Sequence, residues 1–409
     1  MKANDLFQTL NIFNPKRSLQ TREELDNYFV ARTIGPLNEM ETYIRGMQEE
    51  VKILFTGHRG SGKSTELSKL ISLLNNQFFI VNFSIAESLN LYDLTYVDVI
   101  LAMALKLFQK AHENKIDINQ SLQQDIFDWL KNEITKETTI EIPKETSLSA
   151  NINFLALKIE GKFGKETSSR TIMRQKIEPR LSELIEKINF TIDEIKRKIN
   201  KPVLIIVEDI DKADLDKARH LFFEHSMSLS KINARVIYTF PIALRYSNDF
   251  SQIVRNFHKS FVLPNVKISH KNGEVYEAGY QTLRTVILKR LEENLINKDA
   301  LEETIQLSGG LMVELIRLIQ GAANYALSEN KNIIDIESVR KMASEIRNDY
   351  RSLLRQKHYK ILKQIKEDKD KKIVNEETTQ ELLHNLSLLE YRNDETWGDI
   401  HPIVKPLLE

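Results

Sequence analysis

Apolar residues in this chain occur in two kinds of pattern, short and largely apolar runs and longer stretches with helical spacing. The runs at 51–55, 203–207 and 234–240 are rich in β-branched residues, and a shorter run lies at 78–83. Such runs are typical of strands buried on both faces of a parallel sheet. Residues 93–110 instead place apolar side chains on one face of a helix. Strands that alternate with amphipathic helices predict an α/β fold with a parallel sheet.

Other segments show other patterns. Residues 147–164 alternate between apolar and polar positions, which predicts a β-ribbon inserted in the core. From 281 to 345 the spacing is helical again, with a break at Ser308-Gly309-Gly310, and we expect a helical lid. Residues 350–409 predict two helices and a hairpin with its turn at 393–394, which resembles a small winged-helix domain. The predicted organisation is a helical segment at 1–50 that leads into the core, a core at 51–270, a lid at 281–345 and a C-terminal domain at 350–409.

The most specific motif lies between the first strand and the helix after it. It reads Gly57-His58-Arg59-Gly60-Ser61-Gly62-Lys63-Ser64-Thr65 and fits G-x-x-x-x-G-K-[ST], the phosphate-binding P-loop. The glycines let backbone N–H groups face phosphate oxygens, the lysine reaches the β- and γ-phosphates, and the next hydroxyl ligates Mg²⁺. The N-terminus of the helix adds a partial positive charge. We therefore predict binding of ATP with Mg²⁺ through Gly57, Gly60, Ser61, Gly62, Lys63, Ser64 and Thr65.

Acidic residues follow the strand at 203–207, in the order Glu208-Asp209-Ile210-Asp211. At the end of a buried strand, downstream of a P-loop, this order looks like a Walker B motif. One carboxylate orients Mg²⁺ and the next polarises the attacking water. Glu208 and Ser64 are therefore the candidate metal ligands. Asp209 and Glu208 are both candidates for the catalytic base, and the sequence does not separate them.

Composition narrows the class of protein. The chain has 409 residues with 58 basic and 58 acidic side chains, so its net charge neither favours nor excludes a nucleic-acid partner. It has no cysteine, which excludes disulfides and thiolate zinc sites. Its nine histidines show no H-x-x-x-H or other ligand spacing, so we predict no zinc site. It has no apolar leader and no apolar run of roughly eighteen residues, and we expect a cytoplasmic protein without membrane contact.

The order of these motifs resembles bacterial P-loop ATPases of the STAND type, relatives of the replication-initiator branch of AAA+ ATPases. The resemblance is carried by GHRGSGKST, VLIIVEDID, VIYTFP and SGGLMVELIRLI, with a winged-helix-like end. It covers residues 25–345 well and 350–409 loosely. It implies an ASCE/AAA+-like core in which the strand at 234–240 lies between the P-loop strand and the Walker B strand. Thr239, at the tip of that strand, would be the sensor 1 residue, which contacts the γ-phosphate or the attacking water.

Two positions depart from the pattern of these relatives. They usually carry aspartate where this chain has Glu208, whose longer side chain could still reach the ion through water. They often carry an arginine, sensor 2, in the lid at the place that Val313 takes here. Arg317, one helical turn on, is the candidate to contact phosphate instead, and otherwise the sensor is absent. Either case implies slow or partner-dependent hydrolysis. Arg245, after the sensor 1 strand, could reach a phosphate in the same or a neighbouring subunit.

Several functions fit these motifs. The resemblance implies an ATP-driven molecular switch that self-associates or controls a separate effector protein, in signalling or anti-phage defence. The alternative is a DNA-associated ATPase of replication, transposition or partition. Its DNA contacts would come from the basic stretch 340–372, with Arg347, Arg351 and Arg355 on one helical face, and from the C-terminal domain. The acidic residues after 376 favour protein contacts in that domain. A small-molecule kinase is a third possibility, without a substrate motif to support it.

Overall fold

The computed structural model describes residues 2–131, 147–165, 167–392 and 395–409. The predicted hairpin turn at 393–394 lies outside the described residues. The strands are β1 (Lys52–Gly57), β2 (Phe79–Ser84), β3 (Val203–Glu208), β4 (Arg235–Pro241), β5 (Lys259–Val262), β6 (Leu388–Arg392) and β7 (Thr396–Ile400). The helices up to the end of the sheet are α1 (Leu6–Ile12), α2 (Arg22–Tyr28), α3 (Leu37–Gly46), α4 (Lys63–Leu74), α5 (Ile85–Ser88), α6 (Tyr96–Glu113), α7 (Gln120–Trp129), α8 (Leu148–Lys165), α9 (Thr167–Ile177), α10 (Leu181–Ile199), α11 (Leu215–Arg219), α12 (Ser226–Ser230) and α13 (Phe250–Arg255). The helices after the sheet are α14 (Glu277–Leu288), α15 (Lys298–Ser308), α16 (Met312–Ser328), α17 (Ile336–Leu353), α18 (Gln356–Glu367) and α19 (Glu377–His384).

A five-stranded parallel sheet lies at the centre of the described residues, in the order β2-β3-β4-β1-β5. The predicted position of β4 between the P-loop strand β1 and the acidic strand β3 is confirmed. Every residue of β1, β3 and β4 is buried, which explains their largely apolar sequences. Because parallel strands end at one edge of the sheet, the P-loop, Glu208 and Thr239 lie along the same edge.

Helices cover both faces of the sheet. On one face, α3 and α4 pack Met40, Ile44, Leu67 and Leu70 against the sheet, and on the other face α6, α8 and α10 bury a larger apolar cluster. Helix α3 thus packs beside the P-loop strand. No described helix is long and apolar enough to span a membrane.

The β-ribbon predicted at 147–164 is wrong, because the described part of this segment forms helix α8. The same apolar residues fit two periods. Ile152, Leu155, Ala156 and Ile159 follow one another at helical spacing and are all buried in the cluster that includes α6. The helical face is therefore the one that the fold covers, and burial of that face selects the helix over the strand.

Helices α14 to α16, with the start of α17, share a separate apolar cluster, and α1 packs into this cluster rather than into the sheet. Gly309, with φ at 59°, ends α15 in the left-handed conformation, and Gly310 follows with φ at 75°. This turn aims the first residues of α16 at the P-loop.

The C-terminal part consists of α18, α19 and the antiparallel hairpin β6–β7. Its apolar cluster includes Ile242 and Ala243, which directly follow β4, together with Leu382 and Leu388. The C-terminal part therefore packs against the edge of the sheet that carries the P-loop.

Candidate nucleotide-binding site

The P-loop connects β1 to α4 through a backbone conformation that residues with an L side chain rarely adopt. Gly60 and Gly62 have φ of 71° and 101°, in the left-handed region. A Cβ on Gly60 would lie 2.2 Å from Cγ1 of Val313, at the start of α16. The backbone confirms this contact, since the Val313 N–H donates to the Gly60 carbonyl at 2.9 Å. The loop therefore touches the lid without an intervening side chain.

The ammonium group of Lys63 is held inside the loop. Its Nζ donates to the carbonyl oxygens of Gly57 at 3.0 Å and His58 at 2.8 Å, and it lies 2.9 Å from Oδ2 of Asp211. Both side chains of the ion pair are almost fully buried. A phosphate group that approaches the loop would therefore compete with Asp211 for the same cation.

Asp211 is a site residue to which the sequence analysis gave no role. Burial opposes its ionisation, but the ammonium of Lys63, with smaller contributions from Lys212 and the Thr239 hydroxyl, outweighs this effect and holds the pKa of Asp211 below its usual value. A short 3₁₀ turn, Ile210–Lys212, places Asp211 toward the loop. The available signal was its position three residues after the end of the strand, which returns the chain to the edge of the sheet.

Glu208 lies at the end of β3, opposite Ser84 of the neighbouring strand. Burial raises the pKa of Glu208 to about 7, although hydrogen bonds from the side chains of Ser64 and Asn82 act in the opposite direction. The structure thus brings together the hydroxyl and the carboxyl that the sequence suggested as metal ligands. Oxygen donors of this kind suit Mg²⁺, so the residues present fit that ion.

Asp209 takes a different direction from Glu208. It has a left-handed backbone, with φ at 69°. Its Oδ2 accepts a hydrogen bond from Oγ of Ser84 at 2.6 Å, and its Oδ1 lies 2.7 Å from Nζ of Lys212. The two adjacent carboxylates therefore face different partners, and the geometry gives each a separate environment.

Thr239 lies two residues before the end of β4, next to the acidic turn. Its Oγ1 accepts a hydrogen bond from the N–H of Ile210 at 3.0 Å. Thr239 therefore supports the backbone between Asp209 and Asp211. Its predicted contact with a γ-phosphate or a water stays a prediction.

A cavity of about 1100 Å³ includes this edge of the sheet and continues along the outer strand β2. The predicted residues that line it are Gly60, Gly62, Lys63, Ser64, Thr65, Glu208, Asp209 and Thr239. The lid contributes Met312, Val313 and Ile316, and the segment before α2 contributes Asn14 to Ser18 and Gln20. The cavity is at least as large as typical small-molecule sites of about 300–1,000 Å³.

Two of the predicted loop residues lie below the cavity surface. Ser61 is buried, and its carbonyl oxygen accepts a hydrogen bond from the guanidinium of Arg32. A Cβ on Gly57 would lie 2.6 Å from the carbonyl oxygen of Leu263, so a larger residue does not fit there. Arg32 also forms a buried ion pair with Glu66 of α4, at 3.3 Å.

The two candidate arginines do not line the cavity. Arg317 pairs with Asp349 of α17 at 2.7 Å, and that pair would have to break before Arg317 could reach a phosphate. Arg245 lies 2.9 Å from Oε1 of Glu390, in the C-terminal hairpin. Their phosphate contacts stay predictions.

Two P-loop side chains point toward the C-terminal part. Nε2 of His58 accepts a hydrogen bond from the N–H of Glu390 at 2.7 Å. Nη2 of Arg59 lies 2.8 Å from Nε2 of His384 and donates to the carbonyl oxygen of Lys212 at 2.6 Å. The variable positions of the motif thus connect the phosphate loop to α19 and β6.

Residues 36–237, just under half of the chain, match the KAP family P-loop domain. No curated protein sequence matches the chain. Among solved structures, the chain is similar to Cdc6p from Pyrobaculum aerophilum, with 13% identity, 97% of this chain and 95% of that chain covered, and a TM-score of 0.43. It is also similar to ORC2 of Aeropyrum pernix in its ADPNP-ADP complexes, with 11% identity, 97% and 95% covered, and a TM-score of 0.44. A third is the RuvB Holliday junction branch migration motor of Thermotoga maritima, with 13% identity, 95% and 97% covered, and a TM-score of 0.37.

The P-loop match agrees with the parallel sheet and with the cavity at its carboxyl edge. The chain therefore contains an α/β P-loop NTPase domain, and residues 36–237 carry its similarity to the KAP family.

Proposed function

We propose that this protein is an ATP-binding and ATP-hydrolysing molecular switch, in which the state of the phosphate site is transmitted to the lid and the C-terminal part. One observation carries the proposal. The P-loop is hydrogen-bonded to both of the parts that would move. Gly60 contacts Val313 of the lid, and His58 contacts Glu390 of the C-terminal hairpin. A ligand that changes the position of the loop must therefore change or strain both contacts.

The chemistry assigned to the site follows its geometry. Lys63 and the loop amides would neutralise the β- and γ-phosphates of ATP, with Lys63 released from Asp211. Ser64 and Glu208 would hold Mg²⁺, which offsets phosphate charge when bound. Asp209 would polarise the attacking water as general base, with Glu208 as the competing candidate.

Asp211 gives the site two states. Without phosphate, Asp211 neutralises Lys63 in a nearly water-free setting. When phosphate takes that cation, Asp211 loses its partner and the 3₁₀ turn that carries it is destabilised. The same turn supplies the carbonyl of Lys212 that binds Arg59, so the change reaches the contact with His384. Glu390, held by Arg245 and by Tyr246, provides a second contact that responds to the loop.

Hydrogen exchange tests this coupling directly. We expect a non-hydrolysable ATP analogue with Mg²⁺ to change amide exchange in β6, β7 and the first turn of α16, as well as in the P-loop. The Lys63→Ala variant, which lacks the central phosphate contact, is the matched control and should show no change. Protection confined to the P-loop would contradict the switch, although it would leave nucleotide binding intact.

We further propose that the switch acts through self-association or a separate effector protein. Mass in solution tests this with the Asp209→Ala variant, which should keep ATP bound. A rise in mass with ATP·Mg²⁺ in the absence of DNA supports self-association. An unchanged mass leaves the effector as the expected partner, to be sought with the ATP-bound variant.

The DNA-associated alternative has less support, because some of the cations in 340–372 already have internal partners. Arg347 donates to the carbonyl oxygen of Ile403, Lys357 pairs with Glu381, and Lys371 pairs with Asp399. Arg351 and Arg355 stay exposed. Duplex binding that weakens steeply between low and physiological salt, and that is lost in Arg351→Ala/Arg355→Ala, would favour this alternative over the switch.

A further inference from the structure

Two histidines and a glutamate lie close together at the surface, in the segment of the chain that connects β3 to β4 and away from the phosphate site. His220 Nδ1 lies 2.7 Å from Oε2 of Glu224, and the rings of His220 and His225 are 4.5 Å apart. One possible ligand atom from each of the three side chains lies within 4.8 Å of the others. None of these residues lines the nucleotide cavity.

The backbone explains why this group was not visible in the sequence. In an α-helix, the fourth residue along returns to the same face, but the fifth is turned away. Here His220–Glu224 forms a π-helical turn, and the N–H of His225 donates to the carbonyl oxygen of His220 at 3.2 Å. The wider turn brings positions four and five along to the same side, so the spacing H-x-x-x-E-H becomes a ligand set.

Aromatic packing on its buried side holds the π turn in place. Phe222, inside it, is fully buried, and its ring lies 5.0 Å from that of Phe240 and 5.9 Å from that of Phe257. Single π turns in helices are frequent at functional sites. The aromatic packing therefore holds the three side chains on the outer face of a rigid element.

His225 is held from the side as well. Its ring stacks on Tyr96 of α6, with centroids 3.7 Å apart and planes 5° from parallel. The hydroxyl of Tyr96 donates to Oε1 of Glu178 at 2.6 Å. Supporting contacts of this kind orient ligands before a metal binds.

The donor set selects a class of ion. Two imidazoles and one carboxylate suit Zn²⁺ and similar transition metals, whereas Mg²⁺ and Ca²⁺ prefer oxygen donors. With bonds of about 2.0 Å, ligand atoms in a tetrahedral zinc site lie about 3.3 Å apart. Nδ1 of His220 and Oε2 of Glu224, now 2.7 Å apart, must therefore separate slightly, and ligand atoms as far apart as 4.8 Å must move closer. His220 and Glu224 have room to do so, since their side chains are 40% and 46% exposed. The nearest competing cation, Arg219, lies 4.0 Å from Oε1 of Glu224 and pairs more closely with Asp249.

We propose that His220, Glu224 and His225 bind a divalent transition-metal ion of the Zn²⁺ class, with one coordination position open to water or to a partner. The site goes beyond the proposed switch and does not depend on it. It departs from the sequence-based expectation of no zinc site, because the π turn brings together side chains at a spacing that H-x-x-x-H does not include. The Phe222–Phe240 contact places the site against the strand that carries Thr239.

Calorimetric titration with Zn²⁺ alone tests the site. The full chain is freed of transition metals and kept in excess Mg²⁺, so that Zn²⁺ does not bind to the carboxylates beside the P-loop. We expect one equivalent of Zn²⁺ to bind to the wild type, and affinity to fall at least about tenfold in His225→Ala and in His220→Ala. His270→Ala, which removes an exposed histidine elsewhere, is the matched control and should bind as the wild type does.

Two measurements keep the test independent of folding defects. Circular dichroism of the metal-free variants shows whether they fold, and His220→Ala, at a partly exposed position, carries the test if His225→Ala does not fold. Co²⁺ in place of Zn²⁺ should give a visible spectrum in the wild type and lose it in His220→Ala. Absence of Zn²⁺ binding by the wild type, or equal affinity in wild type and both folded variants, would overturn the proposal.

Discussion

Nε2 of His58, in the phosphate loop, accepts a hydrogen bond of 2.7 Å from the backbone N–H of Glu390, which lies 332 residues further along the chain. Both residues are almost completely buried. A P-loop position that the motif leaves free is thus used to attach the loop to the C-terminal hairpin. Several properties of the protein should depend on this attachment and on the loop that it holds.

Removal of the loop lysine should weaken nucleotide binding. Lys63→Ala deletes a charge-assisted contact to phosphate, and such contacts are worth about 1.5–3 kcal/mol, so we expect the ATP Kd to rise at least about tenfold. Fluorescent-nucleotide titration measures this. Lys259→Ala, which removes a half-exposed lysine of the same sheet, should leave the Kd unchanged. Equal ATP affinity in Lys63→Ala and the wild type would refute the assignment of the site.

Replacement of the candidate base should separate binding from turnover. Asp209→Ala removes the carboxylate that contacts Ser84 and Lys212, and we expect ATP binding to persist while hydrolysis falls about 10²- to 10⁴-fold. Phosphate release gives the rate. Asp214→Ala, at an exposed aspartate after the turn, is the control and should retain the wild-type rate. Normal turnover in Asp209→Ala would assign the role of base to Glu208.

The contact between the loop and the lid should not tolerate a methyl group. Gly60→Ala forces an L residue into the left-handed region, at about 1–2 kcal/mol, and drives its Cβ into Val313. We expect a lower free energy of unfolding and weaker ATP binding. The double variant Gly60→Ala/Val313→Gly should recover the part due to the clash. Gly161→Ala, where a Cβ meets nothing within 4 Å, is the control. Identical losses in the single and double variants would show that the lid does not restrict the loop.

Loss of the cation that faces Glu390 should loosen the C-terminal part. The side chain of Glu390 is 1% exposed and pairs with Arg245, so Arg245→Ala leaves a buried carboxylate without its cation. Breaking such a pair costs about 3–5 kcal/mol. Chemical denaturation should show this loss, whereas Arg340→Ala, which breaks an exposed pair with Glu303, should change stability by less than about 1 kcal/mol. Similar effects of the two substitutions would mean that the hairpin is not held through Glu390.

The same attachment should be sensitive to acid. Burial, with the charge of Lys63 and the nearby His401, lowers the pKa of His58 to about 3, against a weaker opposing effect of the Leu383 backbone. In the unfolded chain this ring takes up a proton near pH 6.5. Between about pH 6.5 and pH 3 the unfolded state therefore binds more protons, and the free energy of unfolding falls as the pH is lowered.

The slope from this one ring approaches about 1.4 kcal/mol per pH unit. Urea denaturation at pH 7.5, 6.5 and 5.5 should show the decline in the wild type and a shallower decline in His58→Gln, which can still accept a hydrogen bond. His270→Gln, at an exposed site, should follow the wild type. Parallel declines in His58→Gln and the wild type would assign the acid sensitivity to other groups.

The sequence determined the carboxyl edge of the parallel sheet because local pattern and chemistry agree there. Short, largely apolar runs rich in β-branched residues are typical of strands buried on both faces. The strand ends then place Gly57 to Ser64 and Glu208 within a few residues. Short connections leave little freedom at such points. The fold class and the neighbourhood of Ser64 and Glu208 were therefore predictable from the pattern, whereas the strand order around β4 followed from the resemblance to P-loop ATPases.

Tertiary structure decided the rest, because those features depend on contacts between distant residues or on small backbone changes. The apolar residues of α8 fit two periods, and only the face offered by α6 selected the helix. The left-handed backbone of Asp209 and the 3₁₀ turn after it place Asp211 beside Lys63. One π turn places the side chains of His220 and His225 next to each other. Arg317 forms an ion pair with Asp349, and His58 forms a hydrogen bond with Glu390. No local sequence pattern predicts contacts between residues so far apart in the chain. Burial strengthens the contacts of Lys63 with Asp211 and of His58 with Glu390, and burial is a property of the packed molecule and not of any segment.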